Sequence, residues 1–184
     1  MSTFIQDNGE DRFANGVSNR DLRVHSDAAE RDSRFKAQEF PAPIGKLLGM
    51  TVIQMGNGEA VVEFQAYERH ANAMGTLHGG VLCDIADAAM GLAYRSTLAE
   101  GETLTTIELK INFLRPVWKA KLRARAGMVR RGKIVGLVEC DIVDEQERLV
   151  ARASSTCMTL RGRLAEGRQP TQNQRIAGKS TVSR

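Results

Sequence analysis

The sequence Gly80-Val-Leu-Cys-Asp-Ile-Ala-Asp-Ala-Ala-Met-Gly-Leu-Ala-Tyr94 is the main indication of the fold class, because its pattern differs from that of the rest of the chain. It lacks the alternation of a strand and is rich in Ala, Leu and Met, which predicts a helix of about four turns within residues 78–97. Before Arg95 its only charges are Asp84 and Asp87. A helix that is apolar nearly all round is typically buried, so we expect this helix at the centre of the domain.

Strand patterns flank this helix on both sides. From Thr105 to Phe113 the alternation is strict, with Ile107 and Leu109 on one face and Thr106 on the other. A period of two residues predicts a half-buried strand. An antiparallel sheet of about six strands would bury one helix by curling around it, which predicts an α+β fold. The other predicted strands cover residues 47–54, 61–64, 122–128, 134–143 and 149–160.

Composition divides the 184 residues into three parts. Residues 1–43 are rich in charge and poor in large apolar side chains, which predicts a mobile N-terminal arm, helical in part over residues 27–40 and stopped by the prolines that follow. Residues 44–162 form the predicted folded domain. Residues 163–184 are again polar and predict a disordered basic tail.

The charge distribution argues against nucleic acid as a partner. The formal net charge is +4, but residues 161–184 hold six Lys or Arg against one acid, so the remaining chain has no basic excess. Two Tyr and one Trp also provide few surfaces on which bases could stack. No apolar run approaches the ~20 residues of a membrane span. No secretory leader precedes the domain, so we expect a cytoplasmic protein without a membrane partner.

Disulfide bonds and metal binding are not expected. Three cysteines are an odd number, and Cys83, Cys140 and Cys157 each lie within an apolar stretch, as small buried side chains do. His78 has no second His or Cys at metal-ligand spacing, because His70 lies across a loop. We therefore predict no metal site.

The residues just before the helix could bind a developing negative charge. Gly79 and Gly80 leave the first backbone N–H groups of the helix unobstructed, and these groups lie at its positive end. A tight turn alone would also explain a Gly-Gly pair. His78 could act as a ligand, as a general base, or as a polar group that holds the turn, and we favour the last of these.

Asp87 is the candidate for the chemical step. Its neighbours Ile85, Ala86, Ala88 and Ala89 are apolar, and a carboxylate placed among such residues without partners is costly. Asp84 lies one turn earlier, about 60° round the helix, and could share that face. A solvated helix face is the competing explanation, and it applies more readily to Asp84.

Together these residues resemble a known family. The run Asn72-Ala-Met-Gly-Thr-Leu-His-Gly-Gly80, followed by Asp87, is similar to hotdog-fold acyl-CoA thioesterases of the phenylacetyl-CoA thioesterase (PaaI-like) subgroup. The Leu-Arg-Pro sequence at residues 114–116 and the Arg-Gly-Lys turn at residues 131–133 extend the resemblance over residues 44–160. It implies a hotdog fold, in which the sheet wraps around the central helix.

The resemblance also implies a mechanism and an assembly. Asp87 would be the general base or nucleophile, Gly79 N–H would stabilise the oxyanion, and Asn72 would orient the carbonyl or the water. Thr106 would assist the water and His78 would position the loop. Active sites would lie between subunits of a dimer, with dimers paired into a homotetramer. Acyl-CoA would be the substrate and no separate cofactor would be needed. Candidate CoA contacts are Gly80, Arg115, Arg130, Arg131 and Lys133.

Two alternatives remain open from the sequence. A non-catalytic acyl-CoA-binding or regulatory hotdog protein would keep the pocket without turnover, since a fold does not fix a function. A dehydratase would need a His on the helix, and this helix has none. The presence of both Asp87 and Asn72 favours hydrolysis.

Overall fold

A computed structural model describes residues 37–168, so residues 1–36 of the predicted arm and 169–184 of the predicted tail lie outside the described residues. Within residues 37–168, no helix has both the length and the apolar character to cross a membrane. The helices are α1 (Pro43–Leu48) and α2 (Gly79–Arg95). The strands are β1 (Gln38–Glu39), β2 (Thr51–Gly56), β3 (Glu59–Gln65), β4 (Thr103–Phe113), β5 (Lys121–Arg131), β6 (Val135–Val143) and β7 (Leu149–Leu160).

The strands form one antiparallel sheet with the order β1-β2-β3-β5-β6-β7-β4. The strand that directly follows α2 therefore crosses to the far edge and pairs with the last strand. Helix α2 packs against β2 to β7. The predicted α+β fold, one main helix on an antiparallel sheet with six strands of normal length, is confirmed.

Helix α2 buries one side against the sheet and leaves the other accessible. The buried side combines three alanines with larger apolar residues and Tyr94. The accessible side carries Asp84 and Asp87, both exposed in the single chain. The expectation that apolar neighbours enclose Asp87 is therefore wrong for one protomer. The buried residues of α2 are Leu82, Ile85, Ala86, Ala89, Met90, Leu92, Ala93 and Tyr94.

A β-bulge in β4 changes which side chains face the helix. Thr106 and Glu108 pair with consecutive residues of β7, which leaves Ile107 without a partner. Paired residues in antiparallel strands share a face, and the partner of Thr106 is the fully buried Cys157. Thr106 therefore points to the helix side, as does Leu109. The predicted strict alternation, which placed these two residues on opposite faces, is wrong at the bulge.

The segment before β2 also differs from the sequence prediction. The sequence predicts a strand over residues 47–54, but Leu47 lies in α1 and β2 begins at Thr51. Gly49 ends the helix in a left-handed conformation, with φ of 75°. Pro43 begins α1, where the first helical position tolerates its missing N–H, instead of stopping an earlier helix.

The sheet begins earlier in the chain than the sequence predicts. Gln38 and Glu39 form β1 and pair with Val52 and Thr51 of β2. The predicted helix over residues 27–40 is therefore wrong at these two positions, and its residues 27–36 lie outside the described residues. Residues 38–43, assigned by composition to the arm, belong to the folded unit.

The first residues of the predicted tail contact the folded domain. Gly162–Leu164 form a short 3-10 helix, and Ala165 is only 3% exposed. The Thr103 hydroxyl at the start of β4 donates a 3.3 Å hydrogen bond to the Arg168 carbonyl. Ala165 and the Arg168 carbonyl therefore attach this segment to the folded domain, while its other side chains are exposed.

All three cysteines are free thiols, and Cys140 and Cys157 are buried while Cys83 is partly buried. Burial raises the pKa of each thiol, and the charge of a neighbouring aspartate adds to this effect. Thiols held in the protonated form are weak nucleophiles and weak metal ligands.

Candidate active site

The loop that leads into α2 is organised by Asn72. Its Oδ1 accepts hydrogen bonds from the backbone N–H groups of Met74 at 2.9 Å and Thr76 at 3.3 Å. Its Nδ2 donates to the Thr76 hydroxyl at 2.9 Å. Much of the hydrogen-bonding capacity of this side chain is thus used inside the loop. In one protomer, Asn72 fixes the conformation of the segment that ends at the helix start.

His78 caps the N-terminus of α2. Its Nδ1 accepts a 2.9 Å hydrogen bond from the Gly80 N–H, and its own backbone N–H donates to the His70 carbonyl at 2.9 Å. A ring nitrogen that accepts a hydrogen bond carries no proton, so the neutral ring is protonated at Nε2. The geometry places His78 as the residue that holds the turn, the role that the sequence favoured.

Gly79 presents the free N–H group at the helix start. It is the first residue of α2, so its N–H has no acceptor within the helix, and it donates to no other group in residues 37–168. The Gly80 N–H, in contrast, is already bonded to His78. The ring of Phe113 lies 3.0 Å from the position that a Cβ on Gly79 would occupy. The Gly79 N–H is therefore the better candidate for an oxyanion contact than the Gly80 N–H.

Asp87 and Thr106 form the central polar contact of the accessible helix face. The Thr106 hydroxyl donates a 3.0 Å hydrogen bond to Asp87 Oδ1. The bulge at Ile107 makes this contact possible, because it places Thr106 on the helix side of the edge strand. A carboxylate with one oxygen bonded and the other open to solvent can accept a proton from a water molecule.

Asp84 lies on the same accessible face, one turn before Asp87. Partial loss of hydration, and in addition the negative charge of Asp87, raise the pKa of Asp84. The sequence expectation that the two carboxylates share a face thus agrees with their electrostatic coupling. Asp84 has no hydrogen-bond or ion-pair partner within residues 37–168.

An open cleft of about 320 Å³ runs along this face of α2. Its floor includes Ala88 and Gly91, and Leu104 of β4 closes one side. The N-terminal segment forms the opposite wall, where the Phe40 ring packs so closely on Gly45 that any side chain there would clash. The remaining lining residues are Pro41, Ala42, Ile44, Asp84, Asp87, Leu92 and Arg95.

The candidate CoA contacts do not lie together in one chain. Arg115 is exposed and follows β4, at the end of the sheet where α2 begins. Arg130, Arg131 and Lys133 lie in and just after β5, near the C-terminus of α2. The 17 residues of α2 span roughly 25 Å, so the two groups lie far apart in a protomer. The Gly80 N–H already donates a hydrogen bond to His78 Nδ1.

Arg131 is tied into the fold. Its Nε donates to the Thr97 hydroxyl at 3.2 Å, and another guanidinium nitrogen lies 3.7 Å from the Glu102 carboxylate. Its Nη1 donates a further hydrogen bond to the Gly132 carbonyl. The guanidinium also lies over the Tyr94 ring, 4.9 Å from its centroid. These contacts favour a stabilising role for Arg131 over a role in CoA binding. Arg115, Arg130 and Lys133 have no side-chain partner in the described part of the chain.

The contributors to the cleft that sequence reasoning missed include Phe40, Leu104 and Arg95. Phe40 belonged to the segment assigned to the arm, and only the pairing of β1 with β2 brings it to the helix. Leu104 precedes the strand that the sequence predicted. Arg95 could have been found, because it follows Asp84, Ala88 and Gly91 at helical spacing.

Comparison with known proteins agrees with this fold. The family model described as the Thioesterase superfamily matches residues 74–151. Acyl-coenzyme A thioesterase PaaI of Escherichia coli is 34% identical over 107 residues, which cover 58% of this chain and 74% of that protein. A Saccharolobus solfataricus protein named as an esterase is 36% identical over 118 residues, 64% of this chain and 84% of that protein.

Solved structures lead to the same group. The E. coli PaaI protein superposes with a TM-score of 0.62 at 30% identity, covering 66% of this chain and 86% of that one. The conserved protein PA5202 from Pseudomonas aeruginosa gives a TM-score of 0.63 at 29% identity, over 66% and 97% of the two chains. The chain belongs to the thioesterase superfamily, in its PaaI-like hotdog group. The predicted family and the predicted enzyme class, thioester hydrolase, are confirmed.

Proposed function

We propose that this protein hydrolyses acyl-CoA thioesters to the free acid and CoA, with Asp87 as the general base or nucleophile. The observation that carries the proposal is the contact between Asp87 and Thr106 beside an open cleft on the helix. Similarity to E. coli acyl-coenzyme A thioesterase PaaI supports the substrate class. The cleft receives the acyl group, and the thioester carbonyl lies at the Asp87 end.

Asp87 either removes a proton from the attacking water or attacks the carbonyl itself. Thr106 holds one carboxylate oxygen by its 3.0 Å hydrogen bond, which leaves the other oxygen directed at the reactants. A positioned base of this kind contributes roughly 10²–10⁴-fold to a rate. Gly79 N–H stabilises the oxyanion, a contribution of roughly 10²–10³-fold. Asn72 and His78 hold the loop that presents this N–H group.

Geometry supports an active site shared between two protomers. Gly79 and Asp87 are eight residues apart in one helix, which separates them by about 12 Å along its axis. Both groups therefore cannot touch one carbonyl group within a single chain. A two-fold axis can bring Gly79 of one protomer to Asp87 of its partner.

The edge strand β4 is the element best placed to form this dimer. It has 11 residues, pairs only with β7 among the described strands, and carries Thr106. An exposed strand edge of this length favours pairing with a second chain. A dimer of dimers, with acyl-CoA as the ligand and neither nucleic acid nor membrane as a partner, completes the proposed assembly. Light scattering that finds a monomer at micromolar concentration would overturn the shared site.

A thiol-release assay with a panel of straight-chain and aromatic acyl-CoAs tests the proposed activity. We expect turnover by the full chain and loss of turnover in Asp87→Asn. Tight binding of acyl-CoA by the wild type without any turnover would instead establish the non-catalytic binding protein that the sequence left open.

The oxyanion contact can be tested by removing one N–H group. Gly79→Pro deletes that donor at the first helical position, where proline is tolerated, and the preceding His78 has the extended backbone that proline requires. Gly79→Ala is the matched control, because it keeps the N–H and adds a Cβ near Phe113. We expect a loss of turnover in Gly79→Pro that is at least tenfold larger than in Gly79→Ala.

Mixing two inactive variants tests whether the site is shared. In a heterodimer of Gly79→Pro and Asp87→Asn, one of the two sites has both groups intact. Random mixing should therefore restore about one quarter of wild-type activity. A mixture that stays inactive, although heterodimers are present, would show that each site lies within one chain.

A further inference from the structure

Arg95 lies at the end of the cleft that is remote from the chemistry. It belongs to the last turn of α2, eight residues after Asp87, and it lines the same cleft. The axial separation of the two positions is about 12 Å. Gly91 lies between them, and a Cβ added there would meet nothing within 4 Å. The cleft is therefore open along the helix from Asp87 to Arg95.

Within residues 37–168, the Arg95 guanidinium has no counter-ion. It is partly buried, and no hydrogen bond or ion pair to it is present in residues 37–168, although Asp84 and Asp87 line the same cleft. Burial lowers the pKa of Arg95, which reflects the cost of removing water from its charge. The other half-buried arginines within residues 37–168 are paired with a carboxylate, for example Arg152 with Asp141. A partly desolvated cation without a partner gains more from an anionic ligand than a fully solvated one does.

The two ends of the cleft carry opposite charge. Asp84 and Asp87 occupy the end where the thioester carbonyl would lie, and Arg95 occupies the other. Between them the lining is apolar or small, including Ala88, Gly91 and Leu104. A ligand that matches this arrangement has an electrophilic carbonyl at one end, an aliphatic middle and an anion at the other end.

We propose that this cleft selects acyl groups with a carboxylate at the end remote from the thioester, and that Arg95 binds this carboxylate. The proposal rests on the acyl-CoA hydrolysis proposed above and specifies its substrate class. Arg95 is a substrate-binding residue in it. The planar guanidinium donates two parallel hydrogen bonds to a carboxylate, a geometry that a lysine cannot reproduce.

The length of the cleft sets the length of the acyl group. Side chains of a helix lean towards its N-terminus, so Arg95 extends back over Gly91 and shortens the gap to Asp87. A dicarboxylic acyl group of about four to six carbons fills the remaining distance within the 12 Å separation. Glutaryl-CoA, with five acyl carbons, is the natural probe, and pentanoyl-CoA is its neutral counterpart of equal chain length.

The test compares kcat/KM for glutaryl-CoA and pentanoyl-CoA in the full-length protein. We expect the wild type to prefer glutaryl-CoA by at least tenfold, the factor expected for one hydrogen-bonded charge pair of about 1.5–3 kcal/mol. Arg95→Gln should abolish this preference and change kcat/KM for pentanoyl-CoA less than threefold. Arg95→Lys should restore the preference in part. Arg163→Gln, which removes an exposed arginine outside the cleft lining, should leave the preference intact.

The outcomes separate this proposal from the one on which it rests. Hydrolysis of both substrates without preference for glutaryl-CoA, or an equal loss on both in Arg95→Gln, overturns the role of Arg95 and leaves the hydrolase standing. If neither substrate is hydrolysed, the proposed hydrolysis fails, and calorimetry on the same protein decides the specificity. Tighter binding of glutaryl-CoA that Arg95→Gln removes supports it, and equal binding overturns it. If Arg95→Gln does not fold, the preference for glutaryl-CoA is compared between the wild type and Arg95→Lys. A smaller preference in Arg95→Lys supports the proposal, and an unchanged preference overturns it.

Discussion

The Thr106 hydroxyl donates a 3.0 Å hydrogen bond to Asp87 Oδ1, and this bond joins the edge strand β4 to the accessible face of α2. It depends on the bulge at Ile107, without which Thr106 would point to the outer face of the sheet. The bond fixes one carboxylate oxygen and so sets the direction of the other. A bulge beside a candidate catalytic carboxylate thus has a direct chemical consequence.

Thr106→Val should lower kcat, because it removes the hydroxyl while it keeps a β-branched side chain at the bulge. A hydrogen bond to a charged group is worth about 1.5–3 kcal/mol, so we expect a decrease of roughly 10- to 100-fold. Thr106→Ser keeps the hydroxyl and should retain most of the activity. Steady-state kinetics on one acyl-CoA measures both variants. Equal activity of the Val and Ser variants would show that the hydroxyl does not contribute.

Asp87→Asn should reduce turnover by two or more orders of magnitude, because the amide keeps the size of the side chain and loses its basicity. Acyl-CoA should still bind. Since Asp87 is exposed in the single chain, we expect little change in Tm. Asp84→Asn is the control and should lose much less activity. If Asp84→Asn abolished turnover while Asp87→Asn kept it, the assignment would be reversed. If both stayed active, Glu108 would be the next acid to test.

Asp84→Asn should raise Tm slightly at neutral pH. Partial loss of hydration and the charge of Asp87 raise the pKa of Asp84 above its ordinary value of 3.8, so the folded state holds this proton more tightly than the unfolded state does. Ionisation therefore favours the unfolded chain as pH rises above 3.8. The gain in the variant should develop over that range and vanish at lower pH. Thermal unfolding of both proteins between pH 3 and 8 measures it, and a gain independent of pH would contradict the electrostatic cause.

The main elements of the fold were predictable because their signals are local. Period-two alternation identified most of β4 to β7, and the Ala-rich stretch after Gly80 identified α2. The bulge was not predictable, since the residues from Thr105 to Phe113 continue to alternate through Ile107. Helix α1 was missed because Leu47 and its apolar neighbours fit a short strand equally well, and Gly49 is the signal that ends the helix there.

The candidate site, like the fold, was predictable only in part. His78, Gly79 and Asp87 lie within ten residues, so a single helix places all of them. The sequence singled them out by the Gly-Gly pair at the helix start and by the acids on the helix, and their roles stay predictions. The cleft was not predictable, because its wall at Phe40 depends on the pairing of β1 with β2. The exposure of Asp87 depends on which side of α2 the sheet covers, and composition does not encode that choice.

Two truncations should show which part of the C-terminal segment contributes to thermal stability. Removal of residues 169–184, which are too polar to form a core, should change Tm little. Removal of residues 162–184 should lower Tm further, because it also deletes the buried Ala165 and the hydrogen bond from Thr103 to Arg168. Thermal unfolding of the two truncated proteins measures the difference. Equal Tm values would show that the contacts of residues 162–168 do not contribute to stability.

Arg131 and Arg115 should respond in opposite ways to the same substitution. Arg131→Gln loses the contacts to Thr97 and Glu102 and the position over the Tyr94 ring, at a cost of roughly 1–2 kcal/mol. Chemical denaturation should detect this loss, while KM for acyl-CoA stays unchanged. Arg115→Gln should keep the stability, because its side chain is exposed and has no partner within residues 37–168, and it should raise KM if this arginine contacts the CoA phosphates. If Arg131→Gln raised KM for acyl-CoA without loss of stability, Arg131 would instead bind CoA, as the sequence predicted.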